Sequence, residues 1–327
     1  MRATIVAAAG VLALASIPLW MGDPYLLHVL IMAGIFIIAA MSLNLLLGYA
    51  GQLSLGHVAF FGVGAYASAL FSLGFRVQVF PGVVLAVEAK PVWLAMLAGM
   101  LAAGLCGWFI GRIAFKVRGA YFVIVSISFA EVARLVALNW VELTQGPMAL
   151  NNIPALSIAG FAFLKKPSVY WLVLGCSVAC FILIARIVHS RAGRAMVALA
   201  ENEPLATSVG IDVTRYLVLA TVVSATMAGA AGVLYAHYVR IVDPDVFLFI
   251  YTVTMSIMVI TGGKGTLAGP IVGGVIFGLM PEGLRALAIR PETQWIVYGV
   301  LMVLVVYFLP QGIVPALKGL RLRRSAT

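Results

Sequence analysis

The segment Arg191–Arg215, RAGRAMVALAENEPLATSVGIDVTR, is a long charged stretch with strongly apolar sequence on both sides. Pro204 fits the first turn of a helix, and Gly210 fits the left-handed position just past a helix end. The pattern predicts two short helices at a membrane surface, within a loop spanning residues 189–215. A compact element of this kind offers a soluble partner a surface to bind, whereas the alternative is a merely solvated loop.

The rest of the chain is too apolar for a soluble domain. Of 327 residues, 63% are hydrophobic and 10% are charged, whereas soluble proteins carry roughly 25% charged residues. We therefore predict an all-α integral membrane protein, a single domain over residues 1–327 with no soluble module and about ten transmembrane helices. The predicted spans are 4–20, 28–47, 57–74, 92–111, 119–138, 168–187, 216–236, 247–261, 266–284 and 293–309.

The net charge of +10 reports orientation, not a nucleic-acid partner. With the N-terminus inside, most Lys and Arg residues fall on the inner side, as the positive-inside rule requires. These are Arg2, Arg112, Lys116, Arg118, Arg186, Arg191, Arg194, Arg215, Lys264, Lys318, Arg321, Arg323 and Arg324. Five of the six tryptophans lie at outer ends of predicted spans, namely Trp20, Trp93, Trp140, Trp171 and Trp295. Both termini are therefore expected on the inner side, and the charged loop between the sixth and seventh spans lies there too.

The N-terminal apolar run and residues 139–167 can also be interpreted from their composition. Ala13-Leu14-Ala15 resembles a signal-peptide cleavage site. The apolar run continues to Trp20, however, so we expect a retained first helix. Residues 139–167 mix turn formers with apolar residues, and we expect a periplasmic loop that caps the outer face.

Constellations typical of enzymes are absent from the sequence. The four histidines are scattered, and no His accompanies the three cysteines at metal-ligand spacing. Gly262-Gly263-Lys264-Gly265-Thr266 lacks the glycine and the Ser/Thr that a phosphate-binding P-loop requires. We therefore predict no catalytic residue, no metal and no cofactor, and an intramembrane enzyme is disfavoured.

Glu131 and Arg134 are ionisable residues within the fifth predicted span. At i,i+3 they share a helix face and can pair, and lipid disfavours both, so we expect them to face the bundle interior. The pair is either structural or a polar patch beside a transport pathway or under a binding partner. Glu131 is the one acid deep in a predicted span, so an ion-coupled carrier is disfavoured.

A second polar group comprises Asn44, Gln52, Ser54 and His57. It lies in or beside GYAGQLSLGH (Gly48–His57), which interrupts apolar sequence, as TGGKGTLAGP (Thr261–Pro270) does later. Broken backbone at membrane depth survives inside protein or along a water-lined cavity. The four side chains either line a pathway or join helices by hydrogen bonds.

Glycines at GxxxG spacing predict close helix packing. The pairs are Gly107 with Gly111, Gly269 with Gly273, and Gly274 with Gly278.

Four stretches together resemble one family, the LivM-type permeases of branched-chain amino-acid ABC importers, within the LivH/LivM permease group. They are SLNLLLGYAGQLSLGHVAFFGVGAYASAL (Ser42–Leu70), RGAYFVIVSISFAEVARLVALNW (Arg118–Trp140), SRAGRAMVALAENEPLATSVGID (Ser190–Asp212) and GGKGTLAGPIVGG (Gly262–Gly274). The resemblance implies a permease in the bacterial inner membrane that imports branched-chain or other hydrophobic amino acids. It also implies a LivH-like second permease, two cytoplasmic ABC ATPases and a periplasmic substrate-binding protein as partners. Related permeases serve urea, short amides and other small acids.

The same resemblance assigns roles to particular residues. The charged loop matches the ATPase-coupling loop of the family, whose counterparts here are Gly193, Arg194, Ala195, Glu201, Asn202, Glu203, Ala206, Gly210 and Ile211. The glycine motif of the family matches Gly262, Gly263, Gly265, Gly269 and Gly273.

Overall fold

The computed structural model describes residues 2–20, 22–80, 83–115, 121–158, 161–286 and 291–317. The chain is mostly helical over these ranges, as predicted. Several of the basic residues assigned to the inner side lie outside the described residues, namely Lys116, Arg118, Lys318, Arg321, Arg323 and Arg324.

Besides a short helical segment at residues 313–317, thirteen α-helices of the described chain are numbered in chain order. They are α1 (Arg2–Trp20), α2 (Pro24–Asn44), α3 (Val58–Leu73), α4 (Val92–Ala114), α5 (Tyr121–Asn139), α6 (Val141–Thr144), α7 (Lys166–His189), α8 (Arg191–Glu201), α9 (Glu203–Ser208), α10 (Val213–Val239), α11 (Phe249–Gly262), α12 (Gly269–Ala286) and α13 (Pro291–Phe308). A π-helical turn (Leu45–Tyr49) follows α2, and 3-10 turns cover Gly146–Met148 and Pro244–Phe247.

A helix overlaps each predicted apolar span. Five segments of the described chain are long and apolar enough to cross a membrane: Pro24–Tyr49, Val92–Ala114, Tyr121–Asn139, Lys166–His189 and Val213–Val239. Three shorter apolar helices cover Val58–Leu73, Phe249–Gly262 and Gly269–Pro281. The chain is thus a helical membrane protein, whereas the number of crossings and their orientation stay predictions.

The connections expected outside the membrane contain short strands, which the all-α prediction omitted. Strands β1 (Phe75–Phe80) and β2 (Val83–Val87) pair antiparallel, as do β3 (Ser157–Ile158) and β4 (Phe161–Ala162). In FRVQVF, polar and apolar residues alternate, so Val77 is buried while Arg76 is exposed. This period of two favours a strand over a helix.

The centre of the bundle is formed by α2, α3, α4 and α10. Helix α10 packs along α3 and α4, while α2 contacts α7, α10, α11 and α12. Small residues bring the first group close together: a Cβ on Gly64 would meet the backbone of Gly229, and one on Gly107 would meet Ala225. In lipid the hydrophobic effect does not drive helices together, so close packing of this kind is what holds them.

Helices α5 and α7 lie at the periphery. Their apolar windows are 22% and 11% buried, against 67% for the segments that contain α2 and α10. Most of the surface of α5 and α7 is therefore available to lipid or to another protein.

Connections predicted on the same side contact one another. At the predicted outer side, Leu150 and Val242 form a two-way backbone bridge, with N–O distances of 2.8 and 3.0 Å. The guanidinium Nε of Arg240 also donates to the Ile153 carbonyl at 3.0 Å. At the predicted inner side, Gly51 lies against Ala200.

Candidate functional site

The charged loop folds as two short helices, α8 and α9, between α7 and α10. Ser190 caps the start of α8 by accepting a hydrogen bond from the Gly193 amide at 3.3 Å. Asn202 ends α8 and caps α9, where its Oδ1 accepts from the Leu205 amide at 3.0 Å. Pro204 occupies the first turn of α9. The predicted helix–break–helix element is therefore present, although α8 begins two residues before Gly193.

Gly210 ends α9 in the left-handed conformation, as predicted, with a φ of 87°. Its amide donates to the Thr207 carbonyl at 3.0 Å, and the Ile211 amide donates to the Ala206 carbonyl at 3.1 Å. This pair of bonds is a Schellman motif, which satisfies carbonyls at a helix end. A Cβ on Gly210 would meet no atom within 4 Å, so the constraint is on the backbone and not on space.

Helix α8 has one buried face and one exposed face. Met196 and Leu199 point into a core cluster that includes residues of α4, α5 and α10. Gly193 has no room for a side chain because a Cβ would meet the backbone of Ile187 and Val188. The exposed face carries Arg191 and Arg194. Tight packing on one side therefore fixes the charged side relative to the bundle.

Helix α9 exposes apolar side chains. Leu205 is 63% exposed and Val209 is 72% exposed, and at i,i+4 they lie on one face. Ala206 is buried and anchors the helix. Glu201, Asn202 and Gly210 are exposed beside this face, while Glu203 is half-buried. The result is a small apolar surface with a polar edge.

Asn44 joins the two interrupted segments of the sequence. It is buried, and its Nδ2 donates to the Thr266 carbonyl at 2.9 Å while its Oδ1 accepts from the Gly265 amide at 2.9 Å. Gly48 makes this approach possible, since a Cβ there would meet both Asn44 Oδ1 and the Gly265 backbone. We call this group of Asn44, Gly48, Gly265 and Thr266 the Asn44 clamp. It ties the C-terminal end of α2 to the turn between α11 and α12.

The chain leads from the Asn44 clamp to Gly51, which contacts the charged loop in space. Gly51 follows the π-helical turn with a φ of 68°, and a Cβ on it would lie 3.0 Å from the Ala200 Cβ and 3.1 Å from its Cα. The segment after Asn44 thus lies against the last turn of α8.

The other three polar residues predicted for this region differ in their burial and in their hydrogen-bond partners. Gln52 is half-buried, and its Nε2 is 3.5 Å from the Ala50 carbonyl. The Ser54 hydroxyl is buried without a hydrogen-bond partner among the described residues. His57 is fully buried, with Nε2 at 2.8 Å from the Ser42 hydroxyl. The four side chains thus have different hydrogen-bond partners, and their place beside a pathway stays a prediction.

Sequence reasoning missed the hydroxyl groups that hold this region. The Val58 amide donates to Thr252 Oγ1 at 3.0 Å, and the Gly56 amide donates to Ser126 Oγ at 3.3 Å. Ser224 donates to the Ser42 carbonyl at 2.5 Å. Ser and Thr in apolar helices also bond to their own backbone, so their presence in sequence gives little signal for such long-range contacts.

The glycine motif forms the turn between α11 and α12 and its flanks. Gly263 and Gly265 have φ values of 121° and 71°, which favour glycine. A Cβ on Gly262 would meet Gly269, and one on Gly273 would meet the Met258 carbonyl. The motif thus lets α11 and α12 approach closely, as the GxxxG spacing predicts.

Glu131 and Arg134 form an ion pair, but its predicted facing is wrong for this chain. Arg134 Nη2 lies 2.6 Å from Glu131 Oε1, and Arg134 Nε is within 3.1 Å of both carboxylate oxygens. The side chains are 52% exposed for Glu131 and 25% exposed for Arg134. The core side of α5 is taken by Phe122, Ser126 and Ala130. The pair therefore lies on the periphery of the helix bundle and does not face its interior.

Among the described residues, no group of His, Cys, Asp and Glu could hold a metal ion. A family model described as "Branched-chain amino acid transport system / permease component" matches residues 25–306. The chain belongs to this permease family. The matched range includes the Asn44 clamp, the ion pair on α5, α8 and α9, and the glycine turn.

Individual permeases match over most of the chain. It is 30% identical over 312 residues to the high-affinity branched-chain amino acid permease protein LivM of Salmonella typhimurium, covering 87% of this chain and 68% of that protein. It is 25% identical to LivH of the same organism, covering 85% of this chain and 90% of that protein. A probable LivM of Methanocaldococcus jannaschii is 24% identical, with 88% and 92% covered. No solved structure matches the chain.

Proposed function

We propose that this permease forms, with a LivH-like second permease, the translocation pathway of an ATP-driven importer in the inner membrane. Two cytoplasmic ABC ATPases drive it, and a periplasmic binding protein delivers the substrate, a branched-chain or other hydrophobic amino acid. Support comes from the family match, from relatives named for this transport, and from the apolar face of α9 at Leu205 and Val209.

That face of α9 is the observation on which the coupling role rests. Exposed apolar side chains rimmed by polar groups mark surfaces that bind other proteins. Leu205 and Val209 stand beside exposed Glu201 and Asn202, on a helix fixed by caps at both ends. A short rigid helix of this kind transmits force better than a solvated loop.

We infer a route from this surface into the bundle. An ATPase that moves α9 also moves α8, because Asn202 caps one helix and ends the other. Helix α8 lies against Gly51 through Ala200, and Gly51 follows the segment that holds the Asn44 clamp. The clamp in turn joins α2 to the α11–α12 turn, so motion at the loop reaches three helices of the pathway.

The proposed topology has about ten crossings with both termini inside, and it can be tested by labelling. Ala89 and Asn151 are exposed on the proposed outer side, and Ser208 is exposed on α9. In a background with Cys106, Cys176 and Cys180 replaced, we expect a single Cys at position 89 or 151 to react with an impermeant thiol reagent in intact cells. A Cys at position 208 should react only after permeabilisation. Outside labelling at 208 would exclude the ATPase-coupling role.

The coupling role is tested by strain at Gly210. A β-branched residue is strained at a φ of 87°, so Gly210→Val should distort the end of α9 while the apolar spans insert normally. Gly210→Asn, which tolerates this conformation, is the matched control. We expect Gly210→Val to abolish the stimulation of ATP hydrolysis by loaded binding protein and to lower leucine uptake, and Gly210→Asn to retain most of both.

A different dependence of uptake on energy would contradict the importer role. Uptake that continues when the ATPases are deleted, and that collapses when an ionophore is added, would replace the importer with an ion-coupled carrier.

A further inference from the structure

In the middle of α5, an exposed acidic side chain, Glu131, pairs with the half-buried Arg134. Glu131 lies ten residues after the start of the helix at Tyr121, about 15 Å along its axis at 1.5 Å per residue. The residues exposed around it are apolar: Ile124 is 61% exposed, Val132 55% and Val136 47%. The pair therefore lies in the centre of a surface that is otherwise suited to lipid.

Helix α7 provides the comparison within the same chain. It is even less buried than α5 and also exposes apolar side chains, including Ile182 and Leu183 at 47% and 44%. Its charged residues, however, stand at its ends, at Lys166 and Arg186. Lipid can solvate α7 fully, whereas it solvates an ionised pair at the middle of α5 poorly.

A shallow groove lies on α5 beside the ion pair. It is open, and it is lined by Val132, Leu135, Val136, Asn139 and Trp140. Asp245 lies on the 3-10 turn Pro244–Phe247, which contacts α5, and interacts electrostatically with Arg134. The face thus combines an apolar groove with a charged pair. A partner that covers it needs apolar side chains to fill the groove and at least one polar group facing the pair.

We propose that this face of α5, centred on Glu131, Arg134 and Leu135, is where the chain packs against the second permease. The inference rests on the proposed function. Its partner is a related helix bundle: Salmonella typhimurium has both a LivM and a LivH protein of the high-affinity branched-chain amino acid system, and this chain is similar to each. We expect a helix of that bundle to fill the groove with apolar side chains and to place a polar group against the pair. The bare apolar face of α7 is left to lipid.

Photo-crosslinking in the intact complex tests the assignment. The chain is co-expressed with the second permease, ATPases and binding protein, with a benzophenone amino acid at position 135 or, as the matched control, at position 183. Both positions are Leu, and both are about equally exposed, at 42% and 44%. We expect a product with the mass of both permeases from position 135, and only lipid adducts from position 183.

Steric variants give a second measurement. Leu135→Trp should lower the amount of second permease that co-purifies by about tenfold, the loss expected for a bulky group at the centre of an interface. Leu183→Trp should leave the yield unchanged. Because both substitutions are on peripheral surfaces, the monomer should insert in either case.

The possible results distinguish a wrong interface on α5 from a wrong proposed function. If position 183 crosslinks to the permease and position 135 yields lipid adducts, the inference is wrong although the importer is intact. Crosslinking between two copies of this chain at position 135 would also overturn it, since the partner would then be a second copy. If no second permease co-purifies with the wild-type chain, the proposed function itself fails, and the inference fails with it.

Discussion

Two polar interruptions of apolar sequence behave differently in the folded chain. Asn44 joins residues more than two hundred positions apart, through both ends of its amide, and is buried. Among the described residues, Glu131 and Arg134 form side-chain hydrogen bonds only with each other, one helical turn apart, and lie at the surface. A polar residue in an apolar span can thus be a link within the fold or a local pair available to another protein, and only its partners distinguish the two.

The difference predicts where substitutions harm the isolated chain. The largest effect is expected at Gly48, because a side chain there would push the Gly265 turn away from α2. We expect Gly48→Val to destabilise the protein by about 3 kcal/mol, the upper end of the usual cost of overpacking, since the Gly265 backbone cannot rotate aside. Thermal denaturation in detergent measures the change.

Gly175→Val is the matched control for this experiment. Gly175 lies on exposed α7, and a Cβ there would meet no atom within 4 Å. A similar loss for both variants would mean that valine lowers helix stability in general, and that the Asn44 clamp has no special role.

A smaller effect is expected from Asn44→Ala. The Gly265 amide and the Thr266 carbonyl lose their partner in a half-buried turn, at a cost of about 1–3 kcal/mol. Asn139→Ala serves as control, because Asn139 is exposed and donates only to the Leu135 carbonyl of its own helix. If Asn139→Ala lowers the denaturation midpoint as much as Asn44→Ala, the contrast between linking and local polar groups is lost.

The smallest effect on the isolated chain is expected for Arg134→Ala. Its partner Glu131 keeps access to the surface and is not left buried without a counter-charge. The denaturation midpoint should therefore shift no more than in Asn139→Ala, and the Glu131→Leu, Arg134→Leu double variant should behave similarly.

In the complex with the second permease, the same Arg134→Ala variant should lower the midpoint, because Glu131 is then covered and unpaired. An equally small shift in the chain alone and in the complex would place the pair in water, away from any partner.

The local conformation of the charged loop could be predicted from its residues. Pro204 and Gly210 each have a strong intrinsic backbone preference, and Asn202 and Ser190 are natural helix caps. These effects act over a few residues, so no knowledge of the rest of the fold is needed. The same holds for the apolar helices, whose length and composition follow from the thickness of the bilayer.

The burial of Glu131 and Arg134 could not be predicted in this way. Their spacing predicted the pair, but the side of α5 that meets the bundle depends on the contacts of Phe122, Ser126 and Ala130 with other parts of the chain. The assumption that a charge in a span faces inwards also overlooks a second bundle, which can cover it equally well. Strands β1 and β2 were also not predicted from the sequence. A short run of alternating polar and apolar residues gives a weak strand signal in a chain that is apolar nearly throughout.

The sequence by itself therefore determined that this protein is a helical membrane protein, where its helices lie, and how its charged loop is built. The physical reason is that hydropathy, helix caps and left-handed glycines act locally. Only the tertiary structure decided that Asn44 reaches the Gly265 turn, that α8 lies on Gly51, and that the ion pair of α5 stays uncovered. Those features depend on which distant backbones approach closely, and close approach is set by packing of the whole bundle.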